Sequence, residues 1–154
     1  FFFKQKTAYE MFFSSVRPLV KGKLIAVFGS AGRRDESKRA AQGEIAGKYA
    51  DVIIATEEDD RDDDGSKILH QIAEGAEKAG KVREKSLFLI PDREEAIGFA
   101  LAQAATKDDT VVLLGKGHEK TIERADGEYP WNEAEVTRAA IQELLKRKTK
   151  RNKA

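Results

Sequence analysis

The sequence predicts an α/β fold: a Rossmann-like, mostly parallel sheet flanked by helices, with a small β-hairpin near the C-terminus. Three observations carry the prediction. Short apolar runs at residues 24–28, 52–55, 87–90 and 110–114 have the length of buried strands. Stretches of helical composition separate them, which is the signature of βαβ units and parallel pairing. Late in the chain, Asp126-Gly127 sits between two short extended segments, 121–124 and 128–129, a strong signal for a hairpin.

Each element has its own reason. Residues 35–49 read as a helix with Ala40, Ile45, Ala46 and Tyr49 inward, and residues 66–79 as a helix that gathers Ile68, Leu69, Ile72, Ala73 and Ala76 on one face. Pro91 stops the third strand. Asp92 caps the next helix, with Glu95 three residues on as its capping-box partner. That helix runs to about residue 105 with Ala96, Ile97, Ala100 and Leu101 inward. Asn132 caps a final helix whose inner face is Val136, Ala140, Ile141, Leu144 and Leu145. Tyr129 and Trp131 are expected to cover the sheet edge, and His70 points away from it.

Composition narrows the function classes. A chain of 154 residues fits one domain with one core. It has no cysteine, which excludes disulfides and thiolate metal sites. No apolar run approaches the ~20 residues that span a bilayer, so no membrane partner is expected. Net charge is +1, but the charges are uneven: residues 57–64 are strongly acidic and 146–153 strongly basic. The basic end, 146–154, is expected to be a flexible, solvated tail. It has no aromatic residue to stack on bases, so nucleic acid is not expected as a partner.

Three polar loops carry the chemistry. Gly115-Lys116-Gly117-His118-Glu119 follows the apolar run that ends at Leu114, and ligands of open α/β sheets sit at such strand ends. His118 reads as a loop-stabilising residue before it reads as a functional one, and Lys116 is expected to face nucleotide phosphates or solvent. Gly29-Ser30-Ala31-Gly32 precedes a helix but misses the dinucleotide pattern, and no G-x-x-x-x-G-K-[ST] occurs in the chain. Residues 57–65 set seven acids around Arg61 and admit three readings. Asp60, Asp62, Asp64 and Gly65 match an EF-hand loop, although Gln71 stands where its bidentate glutamate belongs and a strand precedes it. A solvated surface turn is the second reading. The third is a loop that reads a substrate: a guanidinium clamps a carboxylate with two parallel bonds, and acids hold an ammonium.

Taken in order, Val27-Phe28-Gly29 through Arg33-Arg34-Asp35, Lys38-Arg39, Gly43-Glu44-Ile45-Ala46, the loop around Arg61, Pro91-Asp92-Arg93-Glu94-Glu95-Ala96-Ile97 and Gly115-Lys116-Gly117-His118-Glu119 resemble the C-terminal domain of the Mur ligases. The similar branch adds the third amino acid to UDP-N-acetylmuramoyl-dipeptide, and the resemblance runs over about residues 16–145. It implies an ADP-forming amide ligase of peptidoglycan synthesis, cytoplasmic, using ATP and Mg2+ bound mainly by a preceding central domain. It implies that Arg34, Glu58, Asp59, Arg61, Gly115 and Glu119 meet the incoming amino acid, with Asp35 and Lys116 toward the nucleotide and no catalytic or metal-binding residue in this chain itself. Its partners would be the UDP-muramoyl dipeptide, the amino acid, ATP, and the N-terminal and central domains of the same chain. Two departures stand out. Arg33 replaces an acid common before the loop arginine, and Glu58-Asp59-Asp60-Arg61 replaces Asp-Asn-Pro-Arg, which leaves meso-diaminopimelate and lysine both open. A folylpolyglutamate- or cyanophycin-synthetase-type ligase and a non-catalytic flavodoxin-like module are the competing classes.

The start of the chain reads separately. Phe3-Lys4-Gln5-Lys6-Thr7-Ala8-Tyr9-Glu10 resembles a translated sequencing adaptor. Residues 1–15 are therefore expected to be non-native and dispensable, and the chain to be a fragment.

Overall fold

The computed structural model describes residues 7–153. Four strands form one parallel sheet: β1 (Leu24–Phe28), β2 (Val52–Ala55), β3 (Leu87–Leu89) and β4 (Thr110–Leu113), in the order β3-β2-β1-β4. The central strand β1 is buried along its whole length, as its unbroken apolar run requires. It pairs with β2 through Ile25↔Val52 and Phe28↔Ala55 and with β4 through Leu24↔Thr110 and Val27↔Leu113. Alternate residues feed two cores. Leu24, Ala26 and Phe28 face α2 (Ser37–Tyr49) and α3 (Gly65–Lys78), while Ile25 and Val27 face α4 (Arg93–Gln103). An antiparallel hairpin of β5 (Thr121–Arg124) and β6 (Gly127–Pro130) follows, and α5 (Glu133–Lys153) closes the chain. The predicted fold class holds in full.

Local signals explain most boundaries. Asp64 caps α3 by accepting from the N–H groups of Ser66 and Lys67, and Asp92 caps α4 by accepting from Glu95 N–H. All five predicted inward residues of α3 are buried. The inner face of α2 departs from the prediction. Its buried residues are Arg39, Gly43, Ala46 and Gly47, with Ile45 and Tyr49 only partly covered. Glycine decides this face: a Cβ on Gly43 would run into Ile72 O, and one on Gly75 of α3 into Ala40 O, so the two helices approach backbone to backbone.

Two further expectations change. The final helix continues through Lys153 instead of fraying at residue 146. Its lysines and arginines are good helix formers, and Arg147 pairs with Glu143 one turn back. Of its expected inner face, Val136, Ala140 and Leu144 line a groove against Gly98 and Ala102 of α4, while Ile141 and Leu145 are 40% and 57% exposed. Residues four apart share a stripe, and only the 136–140–144 stripe meets α4.

At the other end, residues 1–6 of the segment read as non-native lie outside the described residues. α1 (Ala8–Val16) packs on the core. Phe13 is fully buried and stacks on Tyr49 with ring centroids 6.2 Å apart, and Tyr9 meets Phe28 edge-on at 5.5 Å. α1 thus lays an aromatic face on the core, an arrangement that the reading of residues 1–15 as a dispensable arm did not anticipate. Among the described residues no helix is long and apolar enough to cross a membrane.

Candidate functional site

Strand order reverses between β1 and its two neighbours: the chain moves out to β2 and β3, then returns to place β4 on the other side of β1. The loops that follow β1, β2 and β4 therefore meet at one edge of the sheet, the switch point where α/β folds bind ligands. Hydrogen bonds confirm the meeting. Gly32 N–H donates to Asp59 O at 2.7 Å, and Lys116 Nζ donates to Asp59 Oδ1 at 2.8 Å. Gly115 has φ +106°, a conformation that demands glycine, and its Cα lies against the Glu58 carboxylate.

Lys116, Arg61, Arg33 and Arg39 at this edge are held by acids of the chain. Lys116 is buried, with Nζ bonded to Asp59 and, at 2.6 Å, to Glu119 Oε2. Burial alone would lower its pKa, but the two carboxylates outweigh burial and raise it. Asp59 is the mirror image: burial pushes it up, while Lys116 and the Glu123 N–H prevail and hold it below the usual carboxylate range. Arg61 sits at φ +56°, a left-handed conformation uncommon for a residue with a side chain. Its Nε donates to Glu123 Oε2 at 2.9 Å and its Nη1 to Gly32 O at 2.8 Å. Arg33, also left-handed at φ +54°, bonds Asp62 at 2.7 Å, and buried Arg39 bonds Asp63 at 2.9 Å. The acids of residues 57–65 are thus dispersed over several partners, with Asp64 capping α3 and strand β2, where an EF-hand has a helix, preceding the loop.

Beneath the loops lies an arginine that sequence reasoning missed. Arg93 is fully buried at the start of α4. It donates to Glu133 Oε1 at 2.6 Å, to Glu57 O at 3.0 Å and to Leu114 O at 2.9 Å. One guanidinium thereby ties together the ends of β2 and β4 and the start of α5. Arg124 of β5 adds a two-pronged pair with Glu57, at 2.9 and 2.7 Å.

Glu58 differs from all of these. No donor reaches its carboxylate among the described residues. Burial pushes its pKa up, only partly opposed by the charge of Arg93. It lines two adjoining cavities. One, of about 280 Å³, also touches Gln42, Leu114 and Gly115 and is walled by Ala8, Tyr9 and Phe12 of α1. The other, of about 250 Å³, touches Ser30, Arg34, Asp35, Lys38 and Gln42. Gln42 Oε1 is buried and likewise has no donor.

A protein-family profile for the Mur ligase glutamate ligase domain matches residues 5–117. The chain belongs to the Mur ligase family. A UDP-N-acetylmuramyl-tripeptide synthetase of Roseiflexus sp. (strain RS-1) is 50% identical over 137 residues, covering 89% of this chain and 27% of that protein. A UDP-N-acetylmuramoyl-L-alanyl-D-glutamate--2,6-diaminopimelate ligase of Aquifex aeolicus is 40% identical over 134 residues, 87% of this chain and 27% of that one. A solved structure of a ligase with the latter name superposes with a TM-score of 0.74 at 30% identity, covering 89% of this chain and 27% of the other. The chain thus spans about a quarter of the length of the relatives it matches.

The Mur-type loops hold the residues anticipated from sequence, though not all in the anticipated posture. Glu58, Arg34 and Asp35 share one cavity, and Glu58 and Gly115 share the other. Lys116 is buried and bonds the half-buried Asp59 and the exposed Glu119. His118 is exposed. Trp131 donates to Glu133 Oε2 at 2.7 Å and braces the buried Arg93 network, while Tyr129 lies under the Arg124 guanidinium.

Proposed function

We propose that this Mur ligase domain presents the amino acid in an ATP-dependent amide ligation: the third amino acid, diaminopimelate or lysine, joins UDP-N-acetylmuramoyl-L-alanyl-D-glutamate during cytoplasmic peptidoglycan synthesis. The observation that carries the reading is the shared wall of the two cavities. Glu58 and Gln42 connect the Arg34 loop to the Gly115 loop at the switch point of the sheet. Arg34 and Lys38 there suit a substrate carboxylate, and Glu58 suits an ammonium. Residues 16–145 are the functional unit, and Arg34, Glu58, Asp59, Arg61, Gly115 and Glu119 its amino-acid-handling set. Asp59, Arg61 and Glu119 act through the geometry they impose on the loops.

ATP and Mg2+ do not fit this chain by itself. It lacks a phosphate-cradle motif, and among the described residues no three acids or histidines converge as a cation site. The nucleotide and its metal are assigned to the preceding domains of the ligase, and this domain supplies recognition and closure over the shared cleft. The test compares two proteins. Residues 7–154 alone, given ATP, Mg2+, the nucleotide dipeptide and amino acids, should release no phosphate. The same residues joined to the preceding domains of the Roseiflexus relative should turn over. Phosphate release by the isolated domain that depends on the amino acid would contradict the assignment.

A further inference from the structure

Two residues that face each other across the first cavity, Glu58 and Gly115, come from strands that do not touch. Strand β1 lies between β2 and β4, so no ladder bond joins the ends of those two strands. Each strand makes its last bond to β1 just before its loop: Thr56 N–H donates to Phe28 O at 3.0 Å, and Leu114 N–H donates to Val27 O at 2.9 Å. Past those bonds the chain enters Glu58 on one side and Gly115 on the other. The two lie against each other and line the same cavity. Lys116 and Asp59 join the loops one residue farther out.

Buried Arg93 reaches the entry to both residues. Its Nη1 donates to Glu57 O at 3.0 Å and its Nη2 to Leu114 O at 2.9 Å. Each carbonyl belongs to the planar peptide unit that leads into the next residue, Glu58 or Gly115. Fixing the carbonyl fixes that plane, and with it the direction in which the wall residue leaves the strand. The guanidinium is itself aimed from α5. Glu133 takes its Nε–Nη2 edge with two parallel bonds, 3.0 Å to Oε2 and 2.6 Å to Oε1. Trp131, just after the hairpin and partly exposed, donates to the same Oε2 at 2.7 Å and orients the carboxylate. A lysine ammonium has the charge of Arg93 but not the flat fork that meets these three acceptors at once.

We propose that Arg93 and Glu133 are positioning residues of the ligase, with Trp131 holding them in place: through the carbonyls of Glu57 and Leu114, the hairpin and α5 set the shape of the cavity wall that Glu58 and Gly115 form. The proposal rests on the ligase reading and deepens it. None of the three residues lines either cavity, so none touches the amino acid. A rotated peptide unit ahead of Glu58 or Gly115 distorts the wall and weakens the grip on the amino acid. ATP, assigned to the preceding domains, is held as before.

The experiment uses a ligase in which this chain replaces the corresponding quarter of the Roseiflexus relative. It is assayed with ATP, Mg2+, the nucleotide dipeptide and whichever of L-lysine, L-ornithine and meso-diaminopimelate it turns over fastest. Arg93→Lys should raise KM for that amino acid about tenfold or more, while kcat and the KM for ATP stay within about threefold. Trp131→Phe keeps an aromatic ring and removes one bond to Glu133, so it should raise the same KM about threefold. It carries the test alone if Arg93→Lys fails to melt cooperatively. Leu69→Ala truncates the α3 core away from these residues and should lower the melting temperature without moving the amino-acid KM. An amino-acid KM within about twofold of the unsubstituted chimera, in whichever of the Arg93 and Trp131 variants fold, would overturn the proposal. A loss that falls equally on kcat and on the KM for ATP, or a KM rise in Leu69→Ala as large as that in Arg93→Lys, would also overturn it, since either marks general loosening. A cooperatively folded chimera that uses no amino acid would overturn the ligase reading, and this proposal with it.

Discussion

Two sets of polar residues meet at the same edge of the sheet and are built in opposite ways. In the clasp that joins β5, β6 and α5 to the strand ends, each cation has its acid: Arg93 with Glu133, Arg124 with Glu57, Arg61 with Glu123, Lys116 with Asp59 and Glu119. Along the cavity wall, Glu58 and Gln42 Oε1 are acceptors with no donor among the described residues. The clasp is complete without a ligand and fixes the loops. The wall is incomplete and has a place for one. Charged residues that look alike in the sequence therefore divide into scaffold and site according to whether their partners come from the chain itself.

The largest expected effect lies in the clasp. Arg93→Ala leaves Glu133 buried and uncompensated, and should lower unfolding free energy by about 3–5 kcal/mol in a urea titration. A loss under about 1 kcal/mol would mean that Arg93 merely fills space. Phe13→Ala touches neither set and gauges an ordinary core truncation; about 3 kcal/mol is expected from the cavity it opens. No loss there would show α1 to be the dispensable arm its sequence suggests. Arg61→Ala should cost about 1 kcal/mol, since its pair with Glu123 is partly exposed.

The wall should respond with the opposite sign. Burial raises the Glu58 pKa above its ordinary 4.5, so the folded state binds the proton more tightly than the unfolded state. Stability is therefore lost as pH rises from 4.5 through the folded pKa. Glu58→Gln should raise the thermal midpoint at pH 7 and lose that advantage below pH 4.5. Asp109 behaves conversely. Three backbone N–H groups, from Lys23, Thr106 and Ala105, hold it at about 2. Its contribution is present above pH 3.8 and is lost as pH falls through about 2, so Asp109→Asn should matter at pH 5 and cease to matter near pH 2.

The sequence disclosed the strands, caps and hairpin because each depends on neighbours a few residues away. The buried face of α3 followed from periodicity alone. That of α2 did not, because Gly43 marks a close helix contact only when Ile72 is known to lie across from it. Gly115, Glu58 and Arg34 were legible as loop residues at strand ends. Arg93 and Glu133, forty positions apart, were not, since nothing local distinguishes a buried arginine at a helix start from a solvated one. For Lys116 the sequence suggests phosphate or solvent, because Asp59 arrives from a loop 57 positions away. The advance signals were Glu119, three residues on in the same loop, and the excess of acids around Arg61.

The most direct test of the contrast between clasp and wall is the titration of the Glu58 side-chain carboxyl by carbon NMR in the 154-residue chain, without and with an excess of L-lysine, at matched ionic strength. The account predicts an apparent pKa above 4.5 in the free protein that falls when the amine is added. A Glu58 carboxyl that titrates at or below 4.5 in the free protein, and does not move with lysine, would contradict it.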